Sequence, residues 1–160
     1  KDKINSDISS AFKGGAGEVV SALRFLMSVV KNKELEKRTK LSKEGKPVGG
    51  IEKLSELTDE EIISVILGEI KKRKESVIQY EKGGRGELAK KEAAELDILK
   101  DYVPEEMPEE ELRAIIKKKI SGLGSVTMKD FGKIMGLIMA ELKGHASGDV
   151  VKKIIEEELK

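Results

Sequence analysis

Apolar residues recur three and four positions apart along almost the whole chain, and this spacing constrains the fold more than any other feature. It is the period of an α-helix with one buried face, whereas a half-buried strand would alternate apolar and polar residues. Only three prolines interrupt the 160 residues, and proline is the residue least compatible with a helix interior. The sequence therefore predicts an all-α protein.

Two of the prolines, Pro104 and Pro108, mark the predicted domain boundary. Proline lacks a backbone N–H and disfavours helical backbone in the residue before it, so the segment between them is expected to be semi-extended. We predict an N-terminal antiparallel helical bundle over residues 1–103 and a C-terminal three-helix bundle over residues 104–160.

Four helices are predicted in the N-terminal domain, over about 4–13, 17–38, 58–82 and 87–102. Thr58 and Glu61 have the spacing of a capping box, which marks the start of the third helix. The stretch 39–50 (TKLSKEGKPVGG) is predicted to be a mobile surface loop, because it combines charge with glycine and proline. Residues 31–46 hold seven basic and three acidic residues and form the most basic window of the chain.

Three shorter helices are predicted in the C-terminal domain. Pro108 suits the first position of the first helix, where a missing N–H costs nothing. The second begins at the capping-box spacing of Thr127 and Asp130 and runs to Leu142, and the third follows a turn over 143–148.

The composition excludes several classes of function. With no cysteine and a single histidine, the chain cannot form disulfides, thiolate nucleophiles or zinc fingers. The consecutive glutamates at 109–111 and 156–158 point in different directions around a helix, so they do not make a metal or catalytic site. We therefore predict no catalytic residues, no cofactor, no metal and no enzymatic activity for the chain by itself.

Charge and hydropathy restrict the partners. The longest apolar runs are four to five residues, far below the roughly 20 that span a bilayer, and the first residues are too polar for a signal peptide. A cytoplasmic protein without a membrane partner is expected. The formal charge of +1 gives no whole-molecule attraction for nucleic acid, so any anion-binding surface must be local.

Three segments of the chain resemble the YqeY family, also called the GatB/YqeY family: residues 23–38, 57–105 and 125–159. The most specific pieces are KKRKES at 71–76, the acidic helix that leads into Tyr102, and the MKDFGKIM…KGHASG block at 128–148. The resemblance implies a helical bundle followed by a three-helix domain. That domain is similar to the tail of the B subunit of the amidotransferase that converts Glu-tRNA(Gln) and Asp-tRNA(Asn) to their amide forms, a tail that contacts tRNA.

The resemblance thus implies a non-catalytic tRNA-binding accessory module, whose partners are tRNA and an amidotransferase or synthetase subunit. Because the net charge is small, we expect tRNA binding to be weak outside a larger complex. The alternative is a helical protein–protein adapter without nucleic-acid contact, in which a groove between the two helical domains takes a partner helix through apolar anchors. Steep salt dependence would favour the first function and salt independence the second.

The candidate tRNA contacts lie on the penultimate helix and the turn after it. At about 100° per residue, Lys129 and Lys133 fall opposite the apolar residues, with bare backbone at Gly132 and Gly136 beside them. Lys129, Lys133, Lys143 and His145 would bracket a phosphate-binding edge, with the 143–148 turn supplying backbone amides. The alternative is that the glycines serve helix packing and the lysines only solvate the surface.

The run at 71–74 supplies further candidates, Lys71 and Lys72, although four successive residues spread around a helix and cannot share one surface. Arg73 falls within the apolar stripe of its helix. We therefore predict a structural ion pair across the bundle between Arg73 and Glu92 or Glu95.

Overall fold

The protein is described by a computed structural model that covers residues 1–45, 48–124, 126–142 and 144–159. Within these ranges it contains eight α-helices and one 3-10 helix and no strand, which confirms the all-α prediction. The chain forms two compact units, Lys1–Tyr102 and Val103–Lys160.

The N-terminal unit is built around one long central helix. Its helices are α1 (Asp2–Lys13), α2 (Gly17–Lys43), α3 (Val48–Ser55), α4 (Asp59–Lys82) and α5 (Gly86–Lys100). Helix α2 packs against each of the other four, and α4 packs along α5. The large core side chains that are fully buried come from three of these helices: Leu23, Leu26 and Val30 of α2, Ile66 of α4 and Leu99 of α5.

The prediction of a surface loop over residues 39–50 is wrong for most of that range. Residues 39–43 continue α2, and residues 48–50 open α3, a helix that the sequence analysis missed; Lys46 and Pro47 lie outside the described residues. The N-terminal unit therefore contains five described helices rather than four. Ile51 of α3 is 4% exposed, and α3 packs against α2. This burial outweighs the two glycines, each of which costs about 1 kcal/mol of helix propensity.

Helix α4 begins at the predicted capping box. The Glu61 amide donates to the Thr58 hydroxyl at 3.2 Å, and the Thr58 amide donates to the Glu61 carboxylate at 2.8 Å. Lys37 of α2 donates to the same carboxylate at 2.7 Å. The hydrogen bond from Lys37 and that from the Thr58 amide hold the pKa of Glu61 below its usual value. This stabilisation is present at neutral pH and is lost as the pH falls through that lowered pKa.

The C-terminal unit contains α6 (Glu109–Gly122), a 3-10 helix (Met128–Asp130), α7 (Phe131–Leu142) and α8 (Gly148–Glu158), which is the predicted three-helix bundle. One buried apolar cluster joins its three α-helices: Leu112, Ile116, Ile134, Ile138, Leu142, Ala146, Val151, Ile154 and Ile155.

Two local predictions in this unit are corrected. Pro108 has extended backbone and precedes the first residue of α6 instead of occupying it. Lys129 lies in the 3-10 helix and not in the same α-helix as Lys133. The cause is the Thr127 and Asp130 capping box: the Thr127 hydroxyl accepts from the Lys129 amide at 3.3 Å, and Asp130 accepts from the Thr127 amide at 3.0 Å. These bonds tighten the first turn.

The capping box of α4 gives the first prediction. Thr58→Ala removes the acceptor for the Glu61 amide and should lower the free energy of unfolding by about 1 kcal/mol. Urea denaturation measures the change. The control is Ser64→Ala, because the Ser64 hydroxyl lies inside α4 and donates to the Glu60 carbonyl; it should change stability by less than about 0.5 kcal/mol. Equal effects of the two substitutions would contradict a stabilising role for the cap.

Candidate nucleic-acid interface

The two sides of α7 differ sharply in chemistry. Ile134 and Ile138 are each 1% exposed, and Leu142 is also buried in the cluster of the C-terminal unit. Lys133 of α7 and Lys129 of the preceding 3-10 helix are exposed. Neither lysine forms an ion pair with any residue in the described part of the chain. No described residue therefore competes with an external anion for either ammonium group.

Gly132 and Gly136 lie on the exposed side of α7. A Cβ atom built on either residue would meet no heavy atom within 4 Å. Both residues have ordinary helical backbone without positive φ, so neither glycine is required by conformation. Neither glycine makes a close packing contact with a described neighbour. They leave a strip of bare helix backbone beside Lys133.

His145 is held by the segment that leads into α6. Its Nδ1 atom lies 3.0 Å from the Glu105 carbonyl oxygen, and its own carbonyl accepts from the Met107 amide at 2.8 Å. Because a carbonyl can only accept, Nδ1 carries the proton and the Nε2 atom of the neutral ring is an acceptor. His145 is exposed, but only its imidazolium form can donate Nε2–H to a phosphate.

The turn around His145 is only partly described. Lys143, one of the predicted contacts, lies outside the described residues. Ser147 precedes α8, and its hydroxyl does not cap the helix. His145 thus lies just before α8, as the sequence predicts. The structure adds its hydrogen bonds to Glu105 and Met107 in the segment before α6.

Lys71 and Lys72 belong to α4 in the N-terminal unit. Both are exposed, but Lys72 pairs with Glu69 at 2.7 Å, and Lys71 also interacts with a neighbour. An anion at these positions must therefore compete with existing contacts, unlike an anion at Lys129 or Lys133.

Arg73 lies inside the N-terminal unit with 7% of its side chain exposed. It donates to Glu95 of α5 through Nη2 at 3.1 Å and Nε at 3.3 Å, and to Glu69 of α4 through Nη1 at 3.1 Å. Its guanidinium also lies 5.2 Å from the centre of the Phe25 ring. Glu92, the other predicted partner, is half-buried and forms no bond to Arg73.

Sequence reasoning missed two residues that contact the Arg73 guanidinium. Glu69 is 4% exposed, and its position four residues before Arg73 was the available signal, since such pairs face one another on a helix. Phe25 was missed because no local pattern in α2 distinguishes an aromatic residue above an arginine from an ordinary surface residue.

In the ranges that the structure covers, no group of three or more His, Cys, Asp or Glu side chains is arranged to hold a metal ion. No described helix is both long and apolar enough to cross a bilayer.

A model of the family described as Yqey-like protein matches residues 1–159. The chain belongs to the YqeY family. It is also 26% identical over 158 residues to a protein named altered inheritance of mitochondria protein 41, mitochondrial, of Pyrenophora tritici-repentis (strain Pt-1C-BFP), a match that covers 97% of this chain and 78% of the relative. Since the YqeY match takes in both units, the resemblance drawn from three segments is confirmed along nearly the full length.

In this YqeY chain, the ion pairs of Arg73 with Glu69 and Glu95 give the second prediction. Arg73→Met leaves Glu95 without its described partner and leaves Glu69 with only the exposed Lys72. It should lower the free energy of unfolding by about 3 kcal/mol, because incompletely paired buried charge is costly. Arg73→Met combined with Glu69→Met should recover part of this loss. Urea denaturation at neutral pH measures both changes.

The matched control is Lys90→Met on α5, whose partner Glu87 has 89% of its side chain exposed, and it should cost less than about 1 kcal/mol. If Arg73→Met costs no more than this control, the cluster does not stabilise the unit.

Proposed function

We propose that the C-terminal unit is a non-catalytic tRNA-binding accessory module in which Lys129 and Lys133 contact backbone phosphates. The observation that supports this most directly is the exposure of two lysines without a described ion pair beside the bare backbone of Gly132 and Gly136. The choice of tRNA as the nucleic acid is supported by the resemblance to the tail of the amidotransferase B subunit.

Phosphate contacts position a protein on RNA but do not read bases. The chain has few aromatic residues for stacking on unpaired bases, so its preference would come from the shape of tRNA. Two lysines neutralise few phosphates, and the affinity of the isolated chain should be weak. A synthetase or amidotransferase subunit would supply the rest of the affinity. His145 would join the contact only as an imidazolium.

The third prediction concerns the two lysines. Lys129→Ala combined with Lys133→Ala should weaken the retention of total tRNA in filter binding by about tenfold or more at low salt. It should also reduce the magnitude of the slope of log K against log salt by about 1.5, since each lost phosphate contact accounts for about 0.7 to 0.9. Adding Lys143→Ala tests the third lysine predicted in the C-terminal domain.

The matched control removes the same charge elsewhere in the unit. Lys117 and Lys152 are exposed and interact with Glu158 and Glu156 at 4.0 and 3.8 Å. Lys117→Ala combined with Lys152→Ala should retain tRNA nearly as the unaltered chain does. If the two double variants lose retention equally, general charge and not this face accounts for binding.

The fourth prediction concerns Gly132 and Gly136, whose replacement should affect tRNA binding and protein stability in opposite directions. Gly132→Ala combined with Gly136→Ala should raise the free energy of unfolding by about 1 to 2 kcal/mol, because alanine favours helix and the added methyl groups meet nothing. If a phosphate strand approaches the bare backbone, the same variant should bind tRNA more weakly. A more stable variant with unchanged tRNA affinity would show that the glycines are not part of the contact surface.

A second candidate function, the protein–protein adapter, is favoured by a hollow between α6 and α7. It has a volume of about 440 Å³, and Ile115, Leu123 and Glu141 contribute to its lining together with Lys118 and Lys119. Leu123 is 38% exposed, so an apolar side chain of a partner helix could cover it. Binding of a partner helix would be nearly independent of salt, whereas binding of tRNA should weaken steeply as salt rises. Measuring binding at several salt concentrations therefore separates the two functions.

A further inference from the structure

A hollow in the N-terminal unit lies where α2, α4 and α5 meet. Its volume is about 270 Å³, and its walls are Ser21 and Phe25 of α2, Arg73 and Ser76 of α4, and Glu92 and Glu95 of α5. Lys72 also contributes to the lining. The hollow thus combines an aromatic ring, two hydroxyls and a set of charged groups, the mixture that fixes the orientation of a small ligand.

The cations of this hollow are already neutralised. Arg73 directs its donors to Glu69 and Glu95, and Lys72 donates to Glu69 at 2.7 Å. Two cations and two carboxylates, Glu92 and Glu95, line the hollow. The cations also contact the buried Glu69, which is outside the lining, so three carboxylates accompany two cations. An anionic ligand would have to displace one of these carboxylates from its partner.

Glu92 provides the excess negative charge. It is half-buried, and it forms no hydrogen bond or ion pair with any described residue. Partial burial weakens the solvent screening of its charge, so the attraction for a cation is stronger here than at an open surface. The paired carboxylate of Glu95 lies in the same wall, and its Oε2 atom is the one that Arg73 uses.

Phe25 adds a feature that selects the kind of cation. Phe25 is 50% exposed. The ring already attracts the guanidinium of Arg73 at 5.2 Å, which shows that its electron-rich face is used for cations. Its remaining exposed surface can pack against the methylene stem of a ligand.

We propose that this hollow binds a guanidinium or primary ammonium group carried on an aliphatic stem, with Glu92 as the ion-pair partner and Phe25 as the surface for the stem. The group can come from an arginine or lysine side chain of a partner polypeptide or from a free alkyl amine. This site is independent of the tRNA contact proposed for α7.

The experiment is an NMR titration of the full chain with N-acetyl-arginine N-methylamide, followed through the Phe25 ring and the Ser21 and Ser76 amides. We expect saturable shifts at these residues and about tenfold weaker binding to Glu92→Gln, because the isosteric amide removes a charge-assisted hydrogen bond. Phe25→Leu should weaken binding several-fold. Glu87→Gln, which changes an exposed carboxylate on the same helix, should bind as the unaltered chain does.

Three results would overturn the proposal: no saturation in the unaltered chain, equal binding to Glu92→Gln, or saturation of the same residues by inorganic phosphate. A retained amide spectrum of Glu92→Gln shows that the loss is not caused by unfolding. Titration with 1,5-diaminopentane distinguishes the two sources. Tighter binding of the capped arginine indicates a polypeptide side chain, and tighter binding of the diamine indicates a free amine; either result supports the cation site.

Discussion

In the C-terminal unit, Ile134, Ile138 and Leu142 of α7 pack into the cluster formed with α6 and α8, and this packing fixes the rotation of α7 about its own axis. Burying an isoleucine or leucine side chain stabilises a fold by about 1.5 to 3 kcal/mol, whereas an unpaired lysine is costly to bury. Turning α7 to expose the apolar residues would therefore cost several such contributions. The outward position of Lys133, Gly132 and Gly136 follows from the burial of the opposite face.

In the N-terminal unit, the core-facing side of α4 includes a buried charged residue. Arg73 occupies a position where periodicity calls for an apolar side chain, and its burial is compatible with folding only because Glu69, Glu95 and Phe25 surround it. Such pairs seldom stabilise more than an apolar replacement would. These charged groups lie beside an open hollow, to which Glu92 adds a further carboxylate.

Much of the fold could be predicted because its signals are local. The capping box at Thr58 and the three-and-four spacing of Ile62, Ile66 and Ile70 are read directly from neighbouring residues. Helix α3 could not be predicted in this way, since Gly49 and Gly50 disfavour a helix and only the burial of Ile51 against α2 supports one. Tertiary packing overrode local propensity at that point.

The same distinction applies to the candidate site. The exposure of Lys129 and Lys133 follows from the pattern of apolar residues around them, although the 3-10 turn that holds Lys129 does not. The hydrogen bond from His145 to Glu105 joins residues 40 positions apart, and no local pattern indicates it. The contact of Glu69 with Arg73 could have been predicted from their spacing on one helix. The contact of Phe25 with Arg73 joins two helices, so it is visible only in the folded bundle.

The most direct test of the account is the reactivity of individual lysines toward acetylation, measured by mass spectrometry with and without tRNA. Lys129 and Lys133 should be acetylated several-fold more slowly when tRNA is bound, while Lys117 and Lys152 react as in the free protein. Unchanged reactivity of Lys129 and Lys133 at tRNA concentrations that saturate binding would show that the exposed face of α7 does not meet RNA.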